Sequence, residues 1–177
     1  MRWRILVSGL VGAVAGSFCF FLMYRLHQDA GDFRWALHLA HRFLAHQNPY
    51  DTPLEQYPFP AALFALPFVR VRPEIAASLF YGLSSALLAF GLIRDGYERL
   101  YIFLAYPFWV GLVTVQWSTL ITASAFFPLL LPAAMAKPQV GLPVFLTRLS
   151  WKGTLACLAV ALLSLVALPK WPWLWLG

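Results

Sequence analysis

Residues 29–60, DAGDFRWALHLAHRFLAHQNPYDTPLEQYPFP, lie between two long apolar runs and gather the chain's ionisable chemistry. Four of the seven acids, Asp29, Asp32, Asp51 and Glu55, fall here with His38, His41 and His46; His27, the fourth histidine, stands just before. From Asp32 to Gln47 the apolar residues Phe33, Ala36, Leu37, Ala40, Phe43 and Leu44 recur at i, i+3, i+4, i+7, i+10 and i+11, the period of a helix. Arg34, His38, His41 and Arg42 take the other side. The pattern predicts an amphipathic helix over 32–47, lying in the interface plane of a membrane. Asp32 stands where an N-cap belongs, and Asn48-Pro49 stops the helix because proline restricts the residue before it. Asn48-Pro-Tyr-Asp-Thr-Pro53 is a turn-rich stretch, and Tyr57-Pro-Phe-Pro60 leads into a second short apolar segment, 61–69.

Outward from this loop the chain is mostly hydrocarbon. It is 61% hydrophobic and 11% charged, with a mean hydropathy of +0.70, values that belong to integral membrane proteins. A spanning helix takes about 20 apolar residues. Stretches 5–24, 74–93 and 153–168 meet or approach that length, and 100–115 is short but usable. Trp3, Tyr24, Tyr97, Tyr101, Trp151 and the tail Trp171-Pro-Trp-Leu-Trp175 sit near the span ends, where such rings favour the headgroup level. Cys19 and Cys157 both fall inside apolar spans and carry no disulfide or metal message. Met-Arg-Trp-Arg followed by an apolar run resembles a signal peptide, with Ala13-Val-Ala15 as a cleavage site. Because apolar sequence continues through Met23, the stretch is read as an uncleaved first transmembrane helix.

The expected fold is an all-α, polytopic membrane protein, one transmembrane domain over 1–177 with an outer loop at 25–72. With Met1 inside, the first span exits, 74–93 returns and 100–115 exits. Between Gln116 and Thr147, Pro128, Pro132, Pro138 and Pro143 interrupt the apolar sequence. This region is read as one net crossing built from two half-helices around residues 132–138, a break that survives only where protein or water satisfies the freed carbonyls. With 153–168 exiting, the chain makes about five net crossings. Charge does not orient it: Arg2, Arg4, Arg94, Arg99, Arg148 and Lys152 on one side face Arg25, Arg34, Arg42, Arg70, Arg72 and Lys170 on the other, six against six.

No Gly-rich phosphate loop, paired metal-ligand motif or nucleophile elbow occurs. His38 and His41, spaced i, i+3, suit a metal by spacing, but no carboxylate shares their face, and a basic interfacial surface is the simpler reading. Lys137 is ionisable inside an apolar stretch. It either faces a cavity, where a broken helix presents it to a phosphate or to Asp32, or snorkels to the nearest interface.

The order of short motifs carries a resemblance. Gly31-Asp-Phe33, an amphipathic helix, Asn48-Pro-Tyr50, Tyr57-Pro-Phe-Pro60 and an apolar run resemble the first outer loop of GT-C-type glycosyltransferases. The nearest branch is the polyprenyl-phosphate-mannose-dependent mannosyltransferases of bacterial envelopes. Tyr106-Pro-Phe108 resembles that family's third span, Val115-Gln116 stands where the family usually has Gly-Gln, and Ala136-Lys137-Pro138 is similar to its Lys-Pro element. The usual Tyr-Pro-Pro appears here as Tyr-Pro-Phe-Pro, and the segment between Gln116 and Lys137 is shortened. Family members are usually much longer, so the resemblance covers an N-terminal half. A natural minimal form, one piece of a split protein and a truncated product all remain open.

The resemblance implies transfer of a sugar, mannose in the nearest branch, from a polyprenyl-phosphate carrier to a hydroxyl of a glycan or glycolipid acceptor at the outer face. The expected setting is the bacterial inner (plasma) membrane, with no cofactor beyond the lipid-linked donor and no nucleic acid. The family's loop aspartate maps onto Asp32 as the base taking the acceptor proton; Arg34, His38, His41, Arg42, Asn48, Tyr50, Tyr57, Gln116 and Lys137 become the substrate-binding residues. A carboxylate at a lipid boundary loses hydration, which raises its proton affinity, and nearby cations neutralise a leaving phosphate. With Asp32 as the base, Asp29, in the lead-in before Gly31, is expected to matter much less; Asp32 as an N-cap alone is the competing reading. Two other functional classes stay open: an inactive membrane assembly subunit on the same scaffold, joined by a second membrane subunit, and a transport module for lipid-linked sugars. Single cysteines at Gln47 and Asp95 are expected to react oppositely with an impermeant thiol reagent in intact cells, Gln47 labelled and Asp95 protected. Labelling at Asp95 alone would invert the topology.

Overall fold

A computed structural model describes the chain except for His27, Asp29, residues 52–56 and Gly177, so the readings made for Asp29 and Glu55 lie outside the described residues. The described residues are helical with no strand. In chain order the helices are α1 (Arg2–Arg25), α2 (Phe33–Leu44), α3 (Pro60–Ala65), α4 (Pro73–Leu92), α5 (Tyr106–Val113), α6 (Ser118–Ser124), α7 (Pro138–Thr147), α8 (Trp151–Ala167) and α9 (Trp171–Leu176). Three 3₁₀ segments, Leu66–Phe68, Tyr97–Leu104 and Pro128–Ala136, complete the path. Two helices, α1 and α4, are long and apolar enough to cross a membrane, and α8 is a shorter apolar helix.

Prolines begin helices here more often than they break them. Pro60, Pro73, Pro128 and Pro138 each stand at the first position of their segment, where the missing N–H would have had no partner and the ring presets a helical φ. Region 116–147 therefore differs from the two half-helices expected of it. It forms three short passes, α6, the 3₁₀ segment at 128–136 and α7, packed on one another. The stretch 100–115 likewise bends at Ala105, whose extended backbone separates 3₁₀ turns from α5.

α1 and α4 form the longest contact in the fold. Arg4 donates to the Phe90 carbonyl at 2.8 Å and lies over the Phe90 ring at 4.3 Å, so the start of α1 meets the end of α4 and the pair is antiparallel. Between apolar helices in a lipid-like setting, close packing rather than water exclusion drives association, and small residues permit it. Gly12 and Gly16 of α1 face Ser78, Gly82 and Ala86 of α4. A Cβ on Gly82 would stand 2.9 Å from the Gly12 carbonyl, and one on Gly16 would stand 3.0 Å from that of Ser78. Only 22% of α1's most apolar stretch is buried, against 61% of α4's, which places α1 at the edge and α4 at the centre.

α2 matches the amphipathic helix expected at 32–47, trimmed to twelve residues. The apolar face expected to lie on lipid is instead covered by protein: Phe33, Ala36, Leu37, Leu39 and Ala40 are all buried. Phe33 stacks on Phe80 with ring centroids 4.1 Å apart and also meets Phe68 edge-on. Phe80 lies roughly 10 Å along α4 from Pro73 at 1.5 Å per residue, so the start of α2 reaches well below the top of that helix. Asp32 occupies the N-cap position, yet its side chain makes no capping hydrogen bond. The pure N-cap reading of Asp32 fails on this point.

Gly82→Leu should push α1 from α4 and cost about 1–3 kcal/mol, read as a lower thermal midpoint in detergent. Gly9→Leu, on the same helix but with open space around it, should change stability by no more than about 0.5 kcal/mol.

Candidate functional site

Three distant parts of the chain converge where α2 begins. The Asp32 backbone N–H donates to the Thr114 carbonyl at 2.9 Å, tying the start of α2 to the end of α5. That approach needs Gly31: its φ is +50°, and a Cβ there would overlap the Thr114 carbonyl. The chain then turns through Val115 at φ +49°, an uncommon conformation for a β-branched residue that costs on the order of 1–3 kcal/mol. The turn holds because Val115 is fully buried and the Gln116 N–H donates to the Gly111 carbonyl at 2.8 Å. Its result is to aim the Gln116 side chain at the start of α7.

Lys137 arrives from the opposite direction, between the 3₁₀ segment at 128–136 and α7. Its extended backbone lets its own carbonyl accept from Val140 at 3.0 Å, while its ammonium forms an ion pair with the Asp32 carboxylate. The ammonium also donates to Gln116 Oε1 at 2.8 Å. Both charged side chains are largely shielded, Lys137 being 17% exposed and Asp32 25%. Lys137 thus meets Asp32 rather than snorkelling to an interface.

Tyr57 covers this pair. The Lys137 ammonium stands 5.7 Å from the centre of its ring. Tyr57 is 4% exposed, and its buried hydroxyl lies beside the Asp32 carboxylate. Burial, and then the charge of Asp32, push the phenol well above its ordinary pKa, so it stays a neutral donor. Trp117, fully buried beside it, packs on Phe33, Tyr57, Phe64 and Phe80 and makes the floor rigid. A hollow of about 140 Å³ opens over the cluster, lined by Asp32, Tyr57, Pro58, Lys137, Gln139 and Trp175 among others.

Of the residues expected in the site, Asp32, Tyr57, Gln116 and Lys137 come together. Arg34, His38, His41, Arg42, Asn48 and Tyr50 do not line the hollow. Arg34 is exposed and lies over its neighbour Trp35 at 4.8 Å; His41 is exposed and His38 half-buried. Arg42 donates to Asp51 at 2.8 Å and to the Asn48 carbonyl at 2.9 Å, and the Asn48 amide donates to Asp51 at 2.6 Å. The Asn48 side-chain oxygen accepts from the Tyr50 N–H at 3.1 Å, an Asx turn. The Tyr50 hydroxyl then donates to the Tyr57 carbonyl at 3.1 Å. Asn48-Pro-Tyr50 is therefore a clasp that sets the position of Tyr57. Among the described residues no three metal-ligating side chains gather, and His38 and His41 recruit no third.

Sequence reasoning missed Thr114, Gln139 and Trp175. Thr114 acts through its backbone and leaves no side-chain signal. Trp175 does leave one: with Trp171 it stands at i, i+4, which puts two indoles on one helical face. Comparison with protein-family models, curated proteins and solved structures finds no match to this chain.

A buried ion pair loses most when one partner is removed, because the other charge is left uncompensated. Asp32→Asn and Lys137→Met should each lower stability, and the double variant should recover part of the loss. The coupling expected from unfolding of all four proteins is about 0.5–3 kcal/mol; strict additivity would show that the pair does not hold the fold.

Proposed function

We propose that the chain is a membrane-embedded glycosyltransferase that moves a sugar, mannose in the nearest reading, from a polyprenyl-phosphate carrier to an acceptor hydroxyl, with Asp32 as the base. The observation that carries this reading is the convergence of Asp32, Tyr57 and Lys137, from three separate parts of the sequence, on one hollow, with Gln116 from a fourth bracing the Lys137 ammonium. Ionisable groups inside an apolar protein are costly and mark functional sites by default. The wider arrangement is about five net crossings: α1, α4, residues 97–113, the three short passes together, and α8, in a bacterial inner membrane with the α2 side outward.

The reaction follows from the charges. The donor's phosphate approaches Lys137 and competes with Asp32 for the ammonium. As the ammonium turns to the phosphate, an Asp32 oxygen becomes available to the acceptor hydroxyl. The acceptor oxygen forms its bond to the anomeric carbon while its proton passes to Asp32. The bond from the anomeric carbon to the phosphate oxygen breaks with its electron pair on the phosphate, where Lys137 and the Tyr57 hydroxyl offset the new charge. The products are a glycoside and a polyprenyl phosphate. Gln116 keeps its hydrogen bond from the ammonium as it turns.

One observation favours a second reading. The Asp32 carboxylate is engaged by Lys137, as in a clip that holds α2 to α7. An inactive assembly subunit built on the same scaffold would keep that clip for stability alone.

The two readings part in a transfer assay with a polyprenyl-phosphate mannose donor. Asp32→Asn, compared with wild type at equal folded fraction, should lose about a hundredfold or more in rate, since a positioned general base typically contributes that much. Equal rates in the two proteins would end the catalytic role of Asp32, and no transfer by wild type would favour the scaffold.

A further inference from the structure

The charge of the chain is unevenly placed. Residues 25–74 hold five arginines and five acids, which cancel. Segments 1–4, 94–99 and 148–152 together hold six cations and two acids, a surplus of four out of the chain's net +6. The count of cations alone, six against six, hid this because it leaves the acids out. The fold brings the three segments to one end of the bundle. Arg4 lies over the Phe90 ring near the end of α4, and Phe90 stacks on Phe127 with centroids 6.2 Å apart. Arg94 donates to the Phe126 carbonyl at 3.5 Å. The start of α8 closes the group: a Cβ at Gly153, next to Lys152, would stand 3.2 Å from the Pro128 carbonyl.

The two ends of the bundle use their cations differently. At the α2 end, Arg42 pairs with Asp51 at 2.8 Å and Arg72 with Glu74 at 3.5 Å. At the other end Arg99 pairs with Asp95 at 3.5 Å, whereas among the described residues Arg2, Arg4, Arg94, Arg148 and Lys152 meet no carboxylate. All of these five but Arg4 are exposed. Trp3, Tyr97, Tyr101 and Trp151, in or beside the same segments, are exposed as well. Cations interleaved with indoles and phenols suit the headgroup layer of a bilayer. Uncompensated surface charge of one sign repels itself and draws in the opposite sign. We propose that this end is a docking surface for anionic phospholipid headgroups of the bilayer, with Arg94 and Lys152, which flank residues 126–128, holding the phosphate. The surface also orients the chain, because the leaflet richer in anionic lipid takes this end and leaves the α2 side to the opposite face. The inference rests on the chain lying in a bilayer and not on sugar transfer.

Phosphatidylglycerol and phosphatidylcholine of the same short chains separate headgroup charge from hydrocarbon. Added to the full-length protein in neutral detergent at low salt, phosphatidylglycerol should raise the thermal midpoint further than phosphatidylcholine, as a ligand of the folded state does. The double variant Arg94→Gln, Lys152→Gln should need a phosphatidylglycerol concentration about tenfold higher, or more, for the same rise, since each cation near an anionic layer contributes about a factor of five. Arg148→Gln, at the third exposed cation of this end, should move the curve less and in the same direction. Arg70→Gln, Lys170→Gln, removing two exposed cations elsewhere, should leave it in place. Salt at about 1 M should remove most of the lipid preference, and inorganic phosphate should not reproduce it. Equal midpoints with the two lipids would overturn the proposal, as would equal weakening in the two double variants. A rise matched by inorganic phosphate would overturn the headgroup assignment. No step involves a sugar, so loss of the lipid preference leaves the transferase reading standing, and failure of transfer leaves this surface standing.

Discussion

The ion pair between Asp32 and Lys137 is the constraint to which the rest of the site conforms. Its partners are more than a hundred residues apart in sequence, and neither charge is freely hydrated. Shielded from water, each is tolerable only while the other is in place. The pair therefore fixes the start of α2 against the start of α7, and Gln116 completes the ammonium's contacts from a third direction. The left-handed backbone at Gly31 and the strained turn at Val115 both serve this meeting. A turn that costs free energy beside an ion pair that returns it is an ordinary arrangement at a functional site.

Around that point the helices pack through small residues. α4 stands as the central post, and α1 lies on it through glycines, whose missing side chains let two apolar helices approach closely. The passes between Gln116 and Thr147 are too short to span a bilayer singly, and their prolines start them rather than break them. The turn at Val115–Trp117 lies inside the bundle, with Val115 and Trp117 buried, whereas the turn at Ala136–Pro138 runs from a buried Ala136 to an exposed Pro138. Trp117 packs on Phe33 and Phe80 beside the first turn.

The outer segment divides its work between support and chemistry. Arg42, Asn48, Tyr50 and Asp51 spend their polar groups on one another, and the clasp they form passes its rigidity to Tyr57. Tyr57 then faces the ion pair with its buried hydroxyl beside the Asp32 carboxylate. Trp175 adds another wall, so the polar hollow is lined by residues far apart in the chain. Partial shielding from water strengthens the electrostatic contacts there.

The sequence by itself determined the apolar helical character of the chain, the existence and apolar face of α2, and the importance of Asp32 and Lys137. Those follow from local rules: helical period, composition, and the cost of a charge in hydrocarbon. Only the tertiary structure decided what α2's apolar face meets, because period tells which residues are buried and not by what. Charge and residue type likewise grouped Arg34, His38, His41 and Arg42 with the site, although none of them lines the hollow. Side chains close in sequence on the polar face of α2 point away from its buried face, and it is that buried side, with Asp32 at its head, that meets Gln116 and Lys137. Trp175 belongs to the site only because α8 returns the chain to the level of Tyr57, a consequence of packing that no local pattern encodes.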